Sequence, residues 1–260
     1  MENSEPAQPL TDNERNRWPE LVYRLIEHYK FEPQHLCKGE GIPTFYERIR
    51  RQEVPLNFLF QLLLRWSSSE TISQILAPFE VRDLAAESGL RLKFPTDFNF
   101  TQPDVWIESD HVRVFIEVKV GAKATTGVAQ VQKYLFLHAH LDDIQHRKKR
   151  PYLLFLTEGS WRSPLKAPLA EDIQGFLAAA TTNATLPKRL VKRAGKLPGK
   201  YEGVTRDVEY GAATWNSVGE TLNGIGSQWI ATGSHDVELR IVDDFLEDLK
   251  QRKLWTPAAH

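Results

Sequence analysis

Two carboxylates and a lysine lie close together in the stretch from Pro103 to Tyr134. Asp104 follows a proline, and Glu117 is separated from Lys119 by a single valine. Carboxylate oxygens are the natural ligands of Mg²⁺, which accepts one or two carboxylates and keeps several waters for the phosphate of a substrate. A metal held in this way lowers the pKa of its water and neutralises charge at a phosphorus under attack. These residue types therefore favour the hydrolysis of phosphodiesters.

Lys119 adds a positive charge to the pair. If Glu117 and Lys119 lie on one strand, they are ~6–7 Å apart and their side chains point to the same face. An ammonium in that position can orient or help deprotonate the attacking water and stabilise the oxyanions that form at phosphorus. We therefore expect Asp104, Glu117 and Lys119 to be catalytic, with Asp104 and Glu117 as metal ligands.

A β-hairpin is predicted to position these residues. Segment 112–120 alternates valine and isoleucine with charged or aromatic residues, and segment 104–108 alternates in the same way. Asp110 and His111 lie between the two runs and suit a two-residue turn. The valine and isoleucine face is then the core face, and the charged residues share the opposite, polar face.

The turn fixes the register of the hairpin. It predicts three cross-strand pairs on the polar face: Glu108 with Arg113, Trp106 with Phe115, and Asp104 with Glu117. The ion pair and the aromatic pair favour this register by ~0.2–1 kcal/mol each. The third pair opposes two carboxylates, which repel each other unless a cation lies between them.

Composition restricts the class of protein. The chain has 260 residues, of which 41% are hydrophobic and 26% charged, enough for one large globular domain. Its apolar runs are too short to span a membrane and its N-terminus resembles no export signal, so a cytoplasmic protein is expected. The single cysteine, Cys37, excludes an internal disulfide and a cysteine-based zinc site.

The order of the predicted elements indicates an α/β fold with a mixed central β-sheet flanked by helices. Four regions are expected: a flexible tail at 1–13, a helical N-terminal part at 14–89 packed on the core, a core at 90–215, and a C-terminal helical part of the same domain at 216–260. Helices are predicted at 14–30, 43–50, 55–66, 70–79, 128–140, 165–180 and 234–254. Further strands are predicted around 90–94, at 151–157 and at 204–210, with a connector at 181–203.

Two basic runs are candidates for contact with a polyanion. Because the formal net charge is −1, such attraction must come from local patches. The runs are 146–150 and 186–200, and an ordinary solvated surface is an equally weighted explanation for each. The candidate nucleic-acid contacts are Lys123, Lys148, Lys149, Arg150, Lys188, Arg189, Lys192 and Arg193.

The motifs of this stretch resemble those of the PD-(D/E)xK nuclease superfamily. Pro103-Asp104 is similar to the PD motif, and Glu117-Val118-Lys119 is similar to the (D/E)xK motif on the following strand. Gln130 and Tyr134 resemble the QxxxY motif that RecB-like members carry on the next helix. The resemblance covers about 90–160 well. The arrangement is most similar to stand-alone bacterial nucleases of this superfamily, which are often encoded in defence or mobile-element settings.

The resemblance implies a restriction-endonuclease-like core that uses Mg²⁺ or Mn²⁺. It assigns Gln130 and Tyr134 to the catalytic set, where they position the site and the DNA. Members of the superfamily often add a glutamate from a preceding helix. Glu53 is the candidate for this third metal ligand, with Glu40, Glu47 and Glu70 as alternatives.

The function expected from the resemblance is hydrolysis of DNA by a metal-dependent deoxyribonuclease, in bacterial defence, a mobile element or repair. One alternative is a nuclease-fold subunit that serves in DNA binding or assembly, and another is a nuclease that acts on RNA. The expected partners are DNA or RNA, with a homo-oligomer or a regulatory protein as further partners and no membrane. Endonuclease and exonuclease action both remain open.

Overall fold

The structure is a computed structural model that describes residue 22 and residues 53–93, 100–120, 128–158, 198–233 and 236–257. Its elements in chain order are α1 (Glu53–Trp66), α2 (Ser69–Leu76), a 3₁₀ turn (Ala77–Phe79), β1 (Arg91–Lys93), β2 (Val105–Glu108), β3 (Val112–Val118), α3 (Val128–Ile144), β4 (Arg150–Thr157), α4 (Pro198–Asp207), β5 (Glu209–Thr214), α5 (Trp215–Thr232) and α6 (Asp236–Gln251). None of these helices has the length and apolar character needed to cross a membrane.

The five strands form one mixed sheet in the order β1-β2-β3-β4-β5. The pairs β1–β2 and β2–β3 are antiparallel, whereas β3–β4 and β4–β5 are parallel. A parallel neighbour requires a crossover connection, and α3 lies in the crossover from β3 to β4. The prediction of an α/β fold with a mixed sheet flanked by helices is confirmed.

The hairpin of β2 and β3 has the register that the sequence predicts. Its ladder pairs are Val105 with Ile116, Trp106 with Phe115, Ile107 with Val114, and Glu108 with Arg113. Ser109 N–H donates to the carbonyl of Val112 at 3.1 Å, which closes a two-residue turn. The ring centroids of Trp106 and Phe115 are 6.0 Å apart, with the rings nearly perpendicular. Alternation together with turn length was therefore sufficient to set the register.

Helices cover both faces of the sheet. On one face, α1, α2, α5 and α6 pack on the valine and isoleucine side chains of β3. On the other, α3 and α4 pack on Trp106, Phe115, Leu153 and Phe155. All seven residues of β3 are consequently buried, including those of the face that alternation marked as polar. The site at the end of β3 is therefore enclosed from two sides.

The region after residue 198 differs from the prediction. The connector predicted at 181–203 is wrong at 198–203, and the strand predicted at 204–210 is wrong at 204–207, because α4 occupies Pro198–Asp207. The strand is β5, which shares residues 209–210 with the prediction. Val204 and Val208 are four residues apart and both are buried against α3, which is helical spacing. The final helix is shorter than predicted and is preceded by α5, which begins at a capping box formed by Thr214 and Ser217.

The remaining helix predictions agree with the structure to within a few residues. Helix α1 starts at Glu53 instead of Pro55, and α3 continues to Ile144. Ser68 caps α2, where its hydroxyl accepts a hydrogen bond from Thr71 N–H. The tail at 1–13 and the helices predicted at 43–50 and 165–180 lie outside the described residues, as does the helix at 14–30 apart from residue 22, which is helical.

Candidate active site

Four charged side chains meet at the C-terminal end of β3. Glu117 and Lys119 come from the end of the strand, Asp104 from the residue before β2, and Glu53 from the first turn of α1. We call these four residues the acid–lysine cluster. The hairpin register brings Asp104 to the end of β3, and the packing of α1 on the sheet brings Glu53 there from 66 residues away in the chain.

Lys119 joins two of the carboxylates. Its Nζ lies 2.7 Å from Oε1 of Glu117 and 3.3 Å from Oε1 of Glu53, and it donates to the carbonyl of Val118 at 2.9 Å. Burial lowers the pKa of Lys119, but the charges of Glu117, Glu53 and Asp104 outweigh burial and leave the pKa raised. Lys119 therefore remains an ammonium, which suits charge stabilisation and orientation of water better than proton abstraction.

Asp104 is held to β3 by its side chain and to α1 by its backbone. Its Oδ2 accepts a hydrogen bond from Val118 N–H at 2.8 Å, and its carbonyl accepts one from Gln61 Nε2 at 2.6 Å. Burial and then the charge of Glu117 raise the pKa of Asp104 to about 7, although the hydrogen bond from Val118 and the charge of Lys119 oppose the rise. The two carboxylates therefore repel each other, as the register predicted.

Helix α3 supplies the residues of the predicted QxxxY pair. The buried hydroxyl of Tyr134 donates a hydrogen bond to Oε2 of Glu117, and its ring lies 5.9 Å from that of Phe115. Burial and the nearby carboxylates raise the pKa of Tyr134 well above its usual value, so the hydroxyl acts as a donor. Gln130 lies one turn earlier on the same helix, and its side chain lowers the pKa of Tyr134 and so opposes this rise. Tyr134 therefore orients Glu117 from the face of the sheet that α3 covers.

Asp104 and Glu117 have the donor chemistry for a divalent cation. No set of three or more His, Cys, Asp or Glu side chains within the described residues is arranged to hold a metal ion. Mg²⁺ nevertheless needs only one or two protein carboxylates, because it completes its shell with water. A cation bound between Asp104 and Glu117 would relieve their mutual repulsion. Glu53, the predicted third metal ligand, pairs with Lys119 in the described structure.

The basic run at the start of β4 lies far from the acid–lysine cluster. Arg150 pairs with Val112 and Phe155 pairs with Glu117 in the parallel ladder. Five residues of strand separate the two positions, which corresponds to roughly 16 Å along the sheet. A phosphate bound at the cluster would therefore be out of reach of this run.

The three candidate contacts in this run have different surroundings. Lys149 is buried, and its Nζ lies 3.2 Å from Glu108 Oε2 and donates to the carbonyl of Ser109 at 2.7 Å. Lys148 and Arg150 are exposed and pair with Asp207 and Asp83. The ammonium of Lys149 is thus bonded to groups in the protein interior and is not available to contact DNA. The other candidate contacts, Lys123, Lys188, Arg189, Lys192 and Arg193, lie outside the described residues.

Three residues near the cluster were not predicted. Gln61 and Asn57 follow Glu53 at intervals of four on α1, so helical spacing from Glu53 could have identified them. Trp215 Nε1 donates to the carbonyl of Lys119 at 3.3 Å, across 96 residues of chain. No sequence pattern indicates that contact.

A separate cavity lies among the helices on one side of the sheet. It has a volume of about 380 Å³ and is lined by residues of α1, α2, α5 and α6, among them Trp66 and Trp229. No residue of the acid–lysine cluster lines it. The chemistry described above is therefore located outside this cavity.

Comparison with known proteins gives no relative from which a function could be transferred. No protein-family model, curated protein or solved structure matches the chain. The acid–lysine cluster and its supporting residues are the basis for a functional proposal.

Proposed function

We propose that the protein is a metal-dependent nuclease that hydrolyses phosphodiester bonds of DNA. The observation that carries this proposal is the meeting of Asp104, Glu117 and Glu53 around the ammonium of Lys119 at one end of β3. Two carboxylates that repel each other, beside a lysine that remains charged, suit a cation and a phosphate together.

Each residue of the site has a role in this proposal. Asp104 and Glu117 would hold Mg²⁺ or Mn²⁺, and the bound ion supplies a water of lowered pKa and neutralises phosphate charge. Lys119 donates hydrogen bonds to the attacking water and to the oxygens on phosphorus. Tyr134 holds Glu117 in place, and Gln130 lies one turn before Tyr134 on the same helix. Glu53 keeps the ammonium of Lys119 close to Glu117.

The arrangement of elements supports a restriction-endonuclease-like core of the PD-(D/E)xK type. Asp104 precedes the first hairpin strand, and Glu117 and Lys119 end the second. Gln130 and Tyr134 lie on α3, the helix that follows. The proposed setting is the bacterial cytoplasm, in defence, a mobile element or repair, and that setting rests on the motif resemblance alone.

A cleavage assay tests the proposal. The full-length protein is incubated with supercoiled, linear and single-stranded DNA and with RNA, in Mg²⁺, Mn²⁺ or EDTA. We expect cleavage of DNA only with metal, and a loss of roughly 10²–10³-fold in rate for Lys119→Ala, because this residue is a single charged donor at the reacting phosphate. Asp104→Ala should also abolish most activity. Lys148→Ala, at the opposite end of the sheet, is the matched control and should leave the rate unchanged.

The possible outcomes separate the candidate functions. Cleavage in EDTA, or full activity in Asp104→Ala, contradicts a metal-dependent mechanism. Degradation of RNA with DNA left intact would assign the protein to the ribonucleases. DNA binding without cleavage of any substrate would indicate a subunit for binding or assembly.

A further inference from the structure

One row of side chains on α1 faces the acid–lysine cluster. Glu53, Asn57 and Gln61 are four residues apart and therefore lie on one side of the helix. One end of the row, Glu53, belongs to the cluster and pairs with Lys119, and the other end, Gln61, donates to the carbonyl of Asp104. Asn57, between them, is thus placed beside the site.

Asn57 has hydrogen-bonding capacity that the described part of the protein does not use. Its side chain is only 7% exposed, and its Oδ1 has no hydrogen-bond partner among the described residues. Buried side-chain amides almost always have partners in folded proteins. An amide left in this state next to a cluster of charged residues is suited to hydrogen-bond a ligand that binds there.

Two exposed apolar side chains lie next to this row on the solvent side of α1. Val54 is 59% exposed and Phe58 is 48% exposed, and they are four residues apart on the helix. Each lies one position along the chain from Glu53 or Asn57, a rotation of about 100° around the helix. An exposed aromatic ring beside a phosphate-binding site can stack on a nucleobase, and such stacking tolerates any base.

We propose that Asn57 and Phe58 form a subsite for an unpaired nucleotide beside the phosphodiester to be cleaved, so that single-stranded DNA is the preferred substrate. This inference rests on the proposed nuclease function. Phe58 stacks on the base, and the amide of Asn57 hydrogen-bonds a polar group of the same nucleotide. A base in a duplex is already stacked on both faces, so only an unpaired base can use the ring of Phe58.

Binding without cleavage tests the subsite. The full-length chain carrying Lys119→Ala is titrated, in Mg²⁺, into labelled oligothymidine and into a labelled hairpin duplex, and fluorescence anisotropy gives both affinities. Phe58→Ala, added to this chain, should weaken binding of the single strand by roughly 5- to 100-fold. It should leave duplex binding unchanged, and Phe58→Trp should retain the single-strand affinity. Ile144→Ala, which removes an exposed apolar side chain from α3, is the control.

Asn57→Ala gives a second readout. Because Oδ1 of Asn57 has no partner in the part of the chain that the structure describes, removing the amide should weaken single-strand binding without lowering the melting temperature. A lowered melting temperature with unchanged affinity would instead mark Asn57 as structural and overturn its part in the subsite.

The results distinguish this inference from the proposed function. Equal losses for single strand and duplex in Phe58→Ala, no loss at all, or a loss in Phe58→Trp as large as in Phe58→Ala would overturn the subsite. If the wild type cleaves DNA but Phe58 has no selective effect, only the subsite fails. If single-strand binding depends on Phe58 but no metal supports cleavage, the nuclease function fails and the binding site remains.

Discussion

The hydroxyl of Tyr134 donates a hydrogen bond to Oε2 of Glu117. This contact joins α3 to the C-terminal end of β3, two residues before Lys119, and it leaves Oε1 of Glu117 facing the ammonium. The orientation of Glu117 therefore depends on a helix that itself carries no acid of the cluster. A partner of this kind affects a metal ligand without touching the metal.

Tyr134→Phe should lower the affinity for Mg²⁺ or the cleavage rate by roughly 10- to 100-fold, because the ring still fills its place while Glu117 loses its donor. The measurement is the cleavage rate as a function of Mg²⁺ concentration. Tyr152→Phe is the matched control, since the Tyr152 hydroxyl contacts Arg150 and Arg82 at the other end of the sheet. An unchanged Mg²⁺ dependence in Tyr134→Phe would contradict a supporting role for the hydroxyl.

Removal of one partner from the buried pair of Glu108 and Arg113 should destabilise the fold strongly. Arg113 is fully buried, its Nε lies 2.7 Å from Glu108, and its Nη1 lies 2.8 Å from Asp142. Glu108→Ala should lower the free energy of unfolding in urea by about 3–5 kcal/mol, because Arg113 is left buried with a partner missing. Asp110→Ala removes an exposed pair with Arg147 and should cost about 0–1 kcal/mol. Equal losses in the two variants would show that the buried pair has no special role.

His138 should make stability depend on pH. Burial, and then the charge of Arg113, hold the pKa of His138 well below its usual value near 6.5, although the hydrogen bond to the Tyr152 carbonyl opposes this. Near pH 6.5, His138 therefore binds a proton in the unfolded chain but stays neutral in the folded chain. Stability is complete above this pH and falls as the pH is lowered towards the folded pKa, by up to about 1.4 kcal/mol per pH unit.

Urea unfolding of His138→Gln between about pH 7.5 and 5 tests this dependence. The variant should lose less stability on acidification than the wild type. His111→Gln, which removes an exposed histidine from the hairpin turn, should follow the wild-type curve. Parallel curves for wild type and His138→Gln would show that other groups cause the pH dependence.

Two glycines of α5 should respond oppositely to alanine. A Cβ on Gly219 would lie 2.5 Å from ring atoms of Trp255, whereas a Cβ on Gly224 would have no atom within 4 Å. Gly219→Ala should destabilise the fold by about 1–3 kcal/mol through overpacking. Gly224→Ala should stabilise it by about 0.4–1 kcal/mol, because the unfolded chain loses conformational freedom. Melting temperatures of the two variants check both signs, and stabilisation by Gly219→Ala would show that Trp255 moves aside freely.

The basic run at 186–200 should govern the salt dependence of DNA binding. Lys192→Glu with Arg193→Glu should weaken binding and flatten the dependence of log K on log salt, by about 0.9 per lost phosphate contact on duplex DNA. Lys148→Glu, on the run that lies away from the cluster, should leave the slope unchanged. The slope is measured by titration at several salt concentrations, and an unaltered slope in the double variant would leave the run as a solvated surface.

The hairpin could be predicted in detail because its signals are local. Alternation, a two-residue turn and two cross-strand pairs all select the same register, so no long-range information was needed. Glu53 could be proposed from its position ahead of a helix. Its contact with Lys119 depends on how α1 crosses the sheet, which the sequence does not reveal.

Two features could not be read from local patterns. The second face of β3 looks polar because Arg113 and Glu117 alternate along it, yet Arg113 is buried under α3 by partners that come from distant segments. Strand β5 contains Gly211 and two alanines, and Thr214 at its end is the only β-branched residue in it, so its sequence is weakly typical of a strand. Gly211 is required by close approach, since a Cβ there would meet Val81 and the backbone of Phe79.

The hydrogen bond from Trp215 to the carbonyl of Lys119 has a consequence for synthesis of the chain. It fixes the end of β3 with a residue that follows Lys119 by 96 positions. A ribosome releases the N-terminal part first, so Glu53, Asp104 and Glu117 emerge well before the indole that completes the strand end. A chain made only as far as Lys119 therefore lacks this hydrogen bond, and the end of β3 gains it only after Trp215 has been synthesised.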